Sequence, residues 1–187
     1  MKNNLTILLI YILYLSVYSK VMASEEIRYD LIKKNDIYEI RKYYDRLAVQ
    51  TIEKDGNKSF RKLFGYISGK NDINQKIKMT TPVLLIKEKD KIKMQFFLPS
   101  NFNKNNVPNP TRSDLEILSI KGGFYAVIKY SGRSSDKNFK KHKKILRDVL
   151  LDEKISIIGS EIRATYNSPF VIPLLRRNEA MYKINWN

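Results

Sequence analysis

The stretch Phe60–Val83, FRKLFGYISGKNDINQKIKMTTPV, decides the fold. Phe60, Leu63, Phe64 and Ile67 recur at i, i+3, i+4 and i+7, the spacing that lays one apolar stripe along a short helix. Gly69 stands where a helix C-terminal cap belongs, since glycine takes the left-handed conformation freely. Ile77–Ile86 then reads as extended, broken at Thr80-Thr81-Pro82-Val83, because proline cannot donate to a strand ladder. A helix followed by a proline-broken strand is the unit to look for elsewhere.

Outward from this unit the pattern is mostly strand. Upstream, Tyr38–Tyr43 and Leu47–Ile52 are rich in β-branched and aromatic residues, and Asp55-Gly56 reads as a turn pair. Downstream, Ile92, Met94, Phe96 and Leu98 mark one apolar face of a strand that Pro99 ends. An Asn- and Pro-rich loop spans 100–111. The order then repeats. Leu115–Ile120 and Phe124–Tyr130 flank the turn Lys121-Gly122-Gly123, and Asp136–Leu151 is a helix with Phe139, His142, Leu146, Val149 and Leu150 along one side. Ile155–Ile158 suggests a brief edge strand. Glu161–Tyr166, the break at Ser168-Pro169-Phe170, and Ala180–Trp186 complete the second copy. The chain is read as two duplicated strand-helix-strand-strand halves. Joined edge to edge, they predict one α+β domain, an antiparallel sheet with two helices outside and a cleft for an apolar ligand.

Composition agrees with a single globular domain: 187 residues, 43% hydrophobic and 29% charged. Residues 1–23 read as a signal peptide, with Lys2, the apolar run Leu5–Ser19 and Val21-Met22-Ala23 as cleavage site. That run is shorter than the roughly 20 apolar residues of a spanning helix. The expectation is export, periplasmic or secreted, with the mature domain over 24–187. No cysteine is present, so neither disulfides nor a lipoprotein anchor enter the account. A net charge of +16 would suit an anionic partner, but the lysines are scattered. A nucleic-acid role is therefore not expected; weak contact with an anionic membrane surface is.

Five segments, taken in order, resemble one family: Tyr38-Glu39-Ile40-Arg41, Tyr66–Asn71, Ile77–Val83, Phe97-Leu98-Pro99 and Arg176-Arg177-Asn178-Glu179. Together they are similar to the SOUL heme-binding family over about Tyr29–Ile184. The resemblance implies a distorted antiparallel β-barrel of duplicated halves flanked by two helices. It also implies non-catalytic binding of heme or a related tetrapyrrole (a porphyrin), in buffering, delivery or scavenging.

Heme is an apolar disc with two carboxylates, so a binder needs apolar walls, cations and, for some, an iron ligand. The resemblance places a hydrophobic pocket at the first helix, making Phe60, Leu63, Phe64 and Ile67 candidate walls; the stripe could equally be core. Some relatives carry histidine directly after Glu-Ile-Arg, where this chain has Lys42, a poor ligand. The single histidine, His142, is the remaining candidate for the iron, or else a packed helix residue. Met79, Met94 and several tyrosines are alternatives without positional support, and binding without a strong axial bond stays open. Arg176, Arg177 and Lys78 are candidates for the propionates, with ion pairs from the arginines to Glu39 or Glu179 as the structural alternative.

One histidine and no cysteine exclude zinc clusters and Cys–His nucleophiles, and neither a Gly-x-Ser-x-Gly elbow nor a Walker pattern occurs. Asn57-Lys58-Ser59 is a glycosylation acceptor only in a eukaryotic setting. Two other functions compete: an enzyme using Glu39 or Glu161 as acid/base in the same cleft, and a cationic module for membrane surfaces or proteins.

Overall fold

The computed structural model describes residues 24–186; the expected signal segment 1–23 lies outside the described residues. The elements are β1 (Glu25–Glu26), β2 (Tyr29–Lys34), β3 (Glu39–Tyr43), β4 (Arg46–Glu53), α1 (Gly56–Ile67), β5 (Thr80–Thr81), β6 (Val83–Glu88) and β7 (Lys91–Phe97). They continue with β8 (Glu116–Ile120), β9 (Gly123–Tyr130), α2 (Asp136–Asp152), β10 (Ile162–Thr165), a 3₁₀ turn (Pro173–Leu175) and β11 (Asn178–Ile184). Asp55-Gly56 is not a free turn. Asp55 is the N-cap of α1, its carboxylate accepting from the Asn57 N–H at 2.8 Å, so the helix starts four residues before Phe60. Ser135 caps α2 in the same way. The expected edge strand at Ile155–Ile158 reduces to one bridge, Ile157 to Ile184.

Among the described residues, nine strands form one antiparallel sheet in the order β2-β3-β9-β11-β10-β6-β7-β4-β8. The duplication is visible in that order. About the β10/β6 pair, β11 mirrors β7, β9 mirrors β4 and β3 mirrors β8. Each half thus opens with two strands, and the first of them crosses over: β3 pairs with β9, and β8 with β4.

The crossing forces the sheet to curl. β3 and β4 are six places apart in the order, about 29 Å if the sheet were flat. Yet only Tyr44 and Asp45 join them, a link reaching roughly 10 Å. Lys121 and Gly122 connect β8 to β9 across the same gap. The result is a half-barrel whose ends approach at these links. Gly122 lies so close that a Cβ there would sit 2.4 Å from the Tyr43 carbonyl oxygen, which explains the glycine.

Both helices pack on the convex face. α1 sets Leu63, Tyr66 and Ile67 on Val49, Met94 and Phe96 of β4 and β7. α2 sets Phe139, Leu146 and Leu150 on Ile128, Tyr130, Ala180 and Tyr182 of β9 and β11. Side chains that point the other way, among them Phe97, Val127, Ile162 and Met181, form the concave core. The strap around β1 reaches over that side: β1 runs parallel to β5, and Ile27 is buried against the concave cluster.

Candidate functional site

The convex and concave faces offer different chemistry. On the convex face, the α1 stripe divides. Leu63 and Ile67 are buried in the core, whereas Phe60 and Phe64 are 40% and 50% exposed. Those two rings lie nearly parallel, 11° apart with centroids at 5.9 Å, and Phe60 meets Phe96 edge-on at 5.3 Å. The two rings leave an apolar aromatic patch open to solvent on the outer side of α1. Lys78 is exposed on the segment that follows α1, next to Ile77, whose N–H donates to the Ile67 carbonyl at 2.8 Å.

His142 is on the other helix. Its ring stacks on Tyr130 at 4.1 Å and 6°, and its Nδ1 lies 2.8 Å from the Asn138 carbonyl oxygen. α2 sits on β9 and β11 while α1 sits on β4 and β7. The nearest of those strands, β11 and β7, are three spacings apart, about 14 Å. The structure therefore brings His142 to Tyr130 and not to the α1 rings. The hydroxyl of Tyr130 is buried without a hydrogen-bond partner among the described residues, and burial pushes its pKa up to about 12. Tyr130→Phe should therefore raise stability by about 1 kcal/mol, read as a melting temperature roughly 2–4 °C higher.

The two arginines differ in use. Arg176 donates Nε to the Val171 carbonyl at 2.7 Å and Nη2 to that of Pro169 at 2.6 Å, pinning the loop 168–175. That loop carries the most exposed apolar side chains described, Phe170 at 95% and Leu174 at 79%. Arg177 stacks on Tyr166 at 3.8 Å and donates Nε to Glu179 at 3.0 Å and Nη1 to Glu26 at 3.0 Å. The ion pair to Glu179 is thus formed; Glu39 is taken by other partners.

Those partners are Arg41 and Lys129. Arg41 is wholly buried on the concave face and donates Nε to Glu39 at 2.8 Å, both terminal nitrogens to Glu179 at 3.0 Å, and Nη1 to the Tyr43 hydroxyl at 2.9 Å. Tyr166 donates to Glu179 at 2.7 Å, and the Arg41 guanidinium lies 4.3 Å from the Tyr29 ring. Burial would raise the Glu39 pKa, but hydrogen bonds from Lys129 and Arg41 outweigh it and hold the carboxyl below its usual range. A carboxylate so held is ionised and fully engaged, which suits structure better than acid–base work. Glu161 is likewise paired, with Lys143.

The chain matches known proteins over nearly all of the described residues. A family model described as SOUL heme-binding protein matches residues 24–183. The chain belongs to the SOUL family. Heme-binding protein 2 of Mus musculus is 30% identical over 165 residues, covering 80% of this chain and 78% of that protein. Heme-binding protein 2 of Homo sapiens is 30% identical over 164 residues, with the same coverage. Among solved structures, the EcmrR C-terminal domain superposes with a TM-score of 0.59 at 11% identity, covering 85% of this chain and 99% of that one. A hydrolase from Listeria innocua superposes with a TM-score of 0.55 at 10% identity, covering 91% and 98%. At such identities the two structures share the half-barrel fold with this SOUL chain and nothing more.

The concave face holds a cleft of the kind expected at the seam of a curled sheet, with a lining that the sequence does not announce. Between the closing links lies a cavity of about 200 Å³, walled by Leu84, Ile86, Phe97, Tyr125, Ile162 and Met181. Only the alternation of β6, β7, β9 and β11 hints at it, because inward side chains cannot be told from outward ones until the curl is known.

Proposed function

We propose that the protein binds heme or a related tetrapyrrole on the outer face of α1, outside the cytoplasm, in buffering, delivery or scavenging. The observation that carries this reading is the exposed, nearly parallel Phe60–Phe64 pair. A planar macrocycle gains where apolar aromatic surface is already exposed to solvent. Family membership supports the same ligand class. Lys78, exposed on the segment that follows α1, serves a propionate. His142, occupied with Tyr130 and Asn138, leaves the ring held by stacking and burial, without a strong axial bond from that residue. Binding is non-catalytic, since the candidate carboxylates Glu39 and Glu161 are both committed to ion pairs.

Titration of the purified protein with hemin tests this. A saturable absorbance change near one equivalent is expected, and its absence would sink the reading. His142→Ala should leave the bound spectrum unchanged; a shift would make His142 the iron ligand. Export of the domain after loss of residues 1–23 is part of the proposal. Mass spectrometry of the mature chain checks it, with Ser24 as the expected first residue. Contact with anionic membrane is weak and lost at high salt.

A further inference from the structure

The concave cavity is a second site, separate from the α1 face because the whole sheet lies between them. Its volume of about 200 Å³ is below the roughly 300–1,000 Å³ of pockets for drug-sized ligands, so its occupant is smaller than a tetrapyrrole. The walls are aliphatic and aromatic; the charged residues that line it, Arg46, Lys93 and Lys121, are all cationic. Their carboxylate partners Glu25, Glu88 and Asp45 stand outside the lining. Arg46 is largely buried and uses only Nη2, toward Glu25 at 3.0 Å and the Leu98 carbonyl at 3.3 Å. Nε and Nη1 find no acceptor among the described residues, so Arg46 keeps donors on both sides of its guanidinium for single hydrogen bonds to an incoming carboxylate. The Tyr125 hydroxyl also makes no hydrogen bond to a described residue, and burial holds it above its ordinary pKa, so at neutral pH it is a donor.

We propose that this cavity binds a medium-chain alkyl carboxylate, its chain among Leu84, Ile86, Phe97, Ile162 and Met181 and its carboxylate at Arg46. The alkyl chain replaces water along an apolar wall, and the acid meets a cationic rim with no competing carboxylate in the lining.

The methionines locate the ligand. Met181 lines the cavity, whereas Met94 packs under α1. The full-length protein carrying ¹³C-methyl methionine is titrated with sodium octanoate. A saturable shift of the Met181 methyl with Met94 unmoved is expected. Affinity should rise about fourfold per added methylene from butanoate to octanoate, the gain from burying each CH₂. Octyltrimethylammonium should bind at least tenfold more weakly, and Arg46→Gln should weaken octanoate by a similar factor. Arg46 also holds β1 through Glu25, so Ile86→Trp serves as a second variant: it fills the cavity and should abolish the Met181 shift. No saturable shift of Met181, equal affinity for the ammonium, or octanoate binding undiminished in Ile86→Trp would each overturn the proposal. Hemin binding on α1 is read separately at Met94, so either site can fail without the other.

Discussion

Replacing Arg41 by methionine should lower the unfolding free energy by about 3–5 kcal/mol, the cost of stripping one partner from a buried ion pair. Arg41 and Glu179 are both fully buried, and the guanidinium bridges β3 to β11 although β9 lies between them. Without it, Glu179 keeps Arg177 and Tyr166 but loses two charge-assisted hydrogen bonds, and Glu39 loses one. Urea unfolding reads the change as a fall in midpoint at constant slope. The double variant Arg41→Met with Glu179→Met should recover much of the loss, because removing both charges removes the burial penalty together with the attraction. A single variant as stable as the wild type would mean that water reaches the cluster.

Phe60→Ser and Phe64→Ser should each weaken hemin about tenfold or more, because each takes one aromatic ring out of the apolar platform that the macrocycle covers. Both rings are about half exposed already, so the urea midpoint should move little. Leu63→Ser, one turn along the same stripe but wholly buried, should instead destabilise the fold. Weaker hemin binding with unchanged stability separates a surface platform from a core position. Unchanged hemin affinity in the Phe60, Phe64 double variant would move the tetrapyrrole off α1.

Much of the architecture was legible because period and punctuation are local properties. The α1 stripe, the break at Thr81-Pro82 and the α2 stripe all read correctly from side-chain spacing. β2 did not, because nearly every residue from Asp30 to Lys34 is exposed and an edge strand has no buried face to impose alternation. Asp55 read as a turn because N-caps and turns use the same residue types. The site was less legible. Tyr38–Arg41 and Arg176–Glu179 stood out as motifs, yet the register that unites Arg41 with Glu179 across 138 residues is set by β9, which pairs with both strands. Spacing along α1 put Phe60 and Leu63 on one stripe, but which of them the sheet covers depends on how the helix sits over β7. The cavity arises from curvature, which no single strand encodes.

Among the described residues, the last strand in chain order is also the one that holds the sheet together. β11 lies between β9 and β10, so without it β2-β3-β9 and β10-β6-β7-β4-β8 share no ladder. It supplies Glu179 to the buried charge cluster and Met181 to the concave core as well. The half-barrel is therefore complete only once β11 has joined β9 to β10.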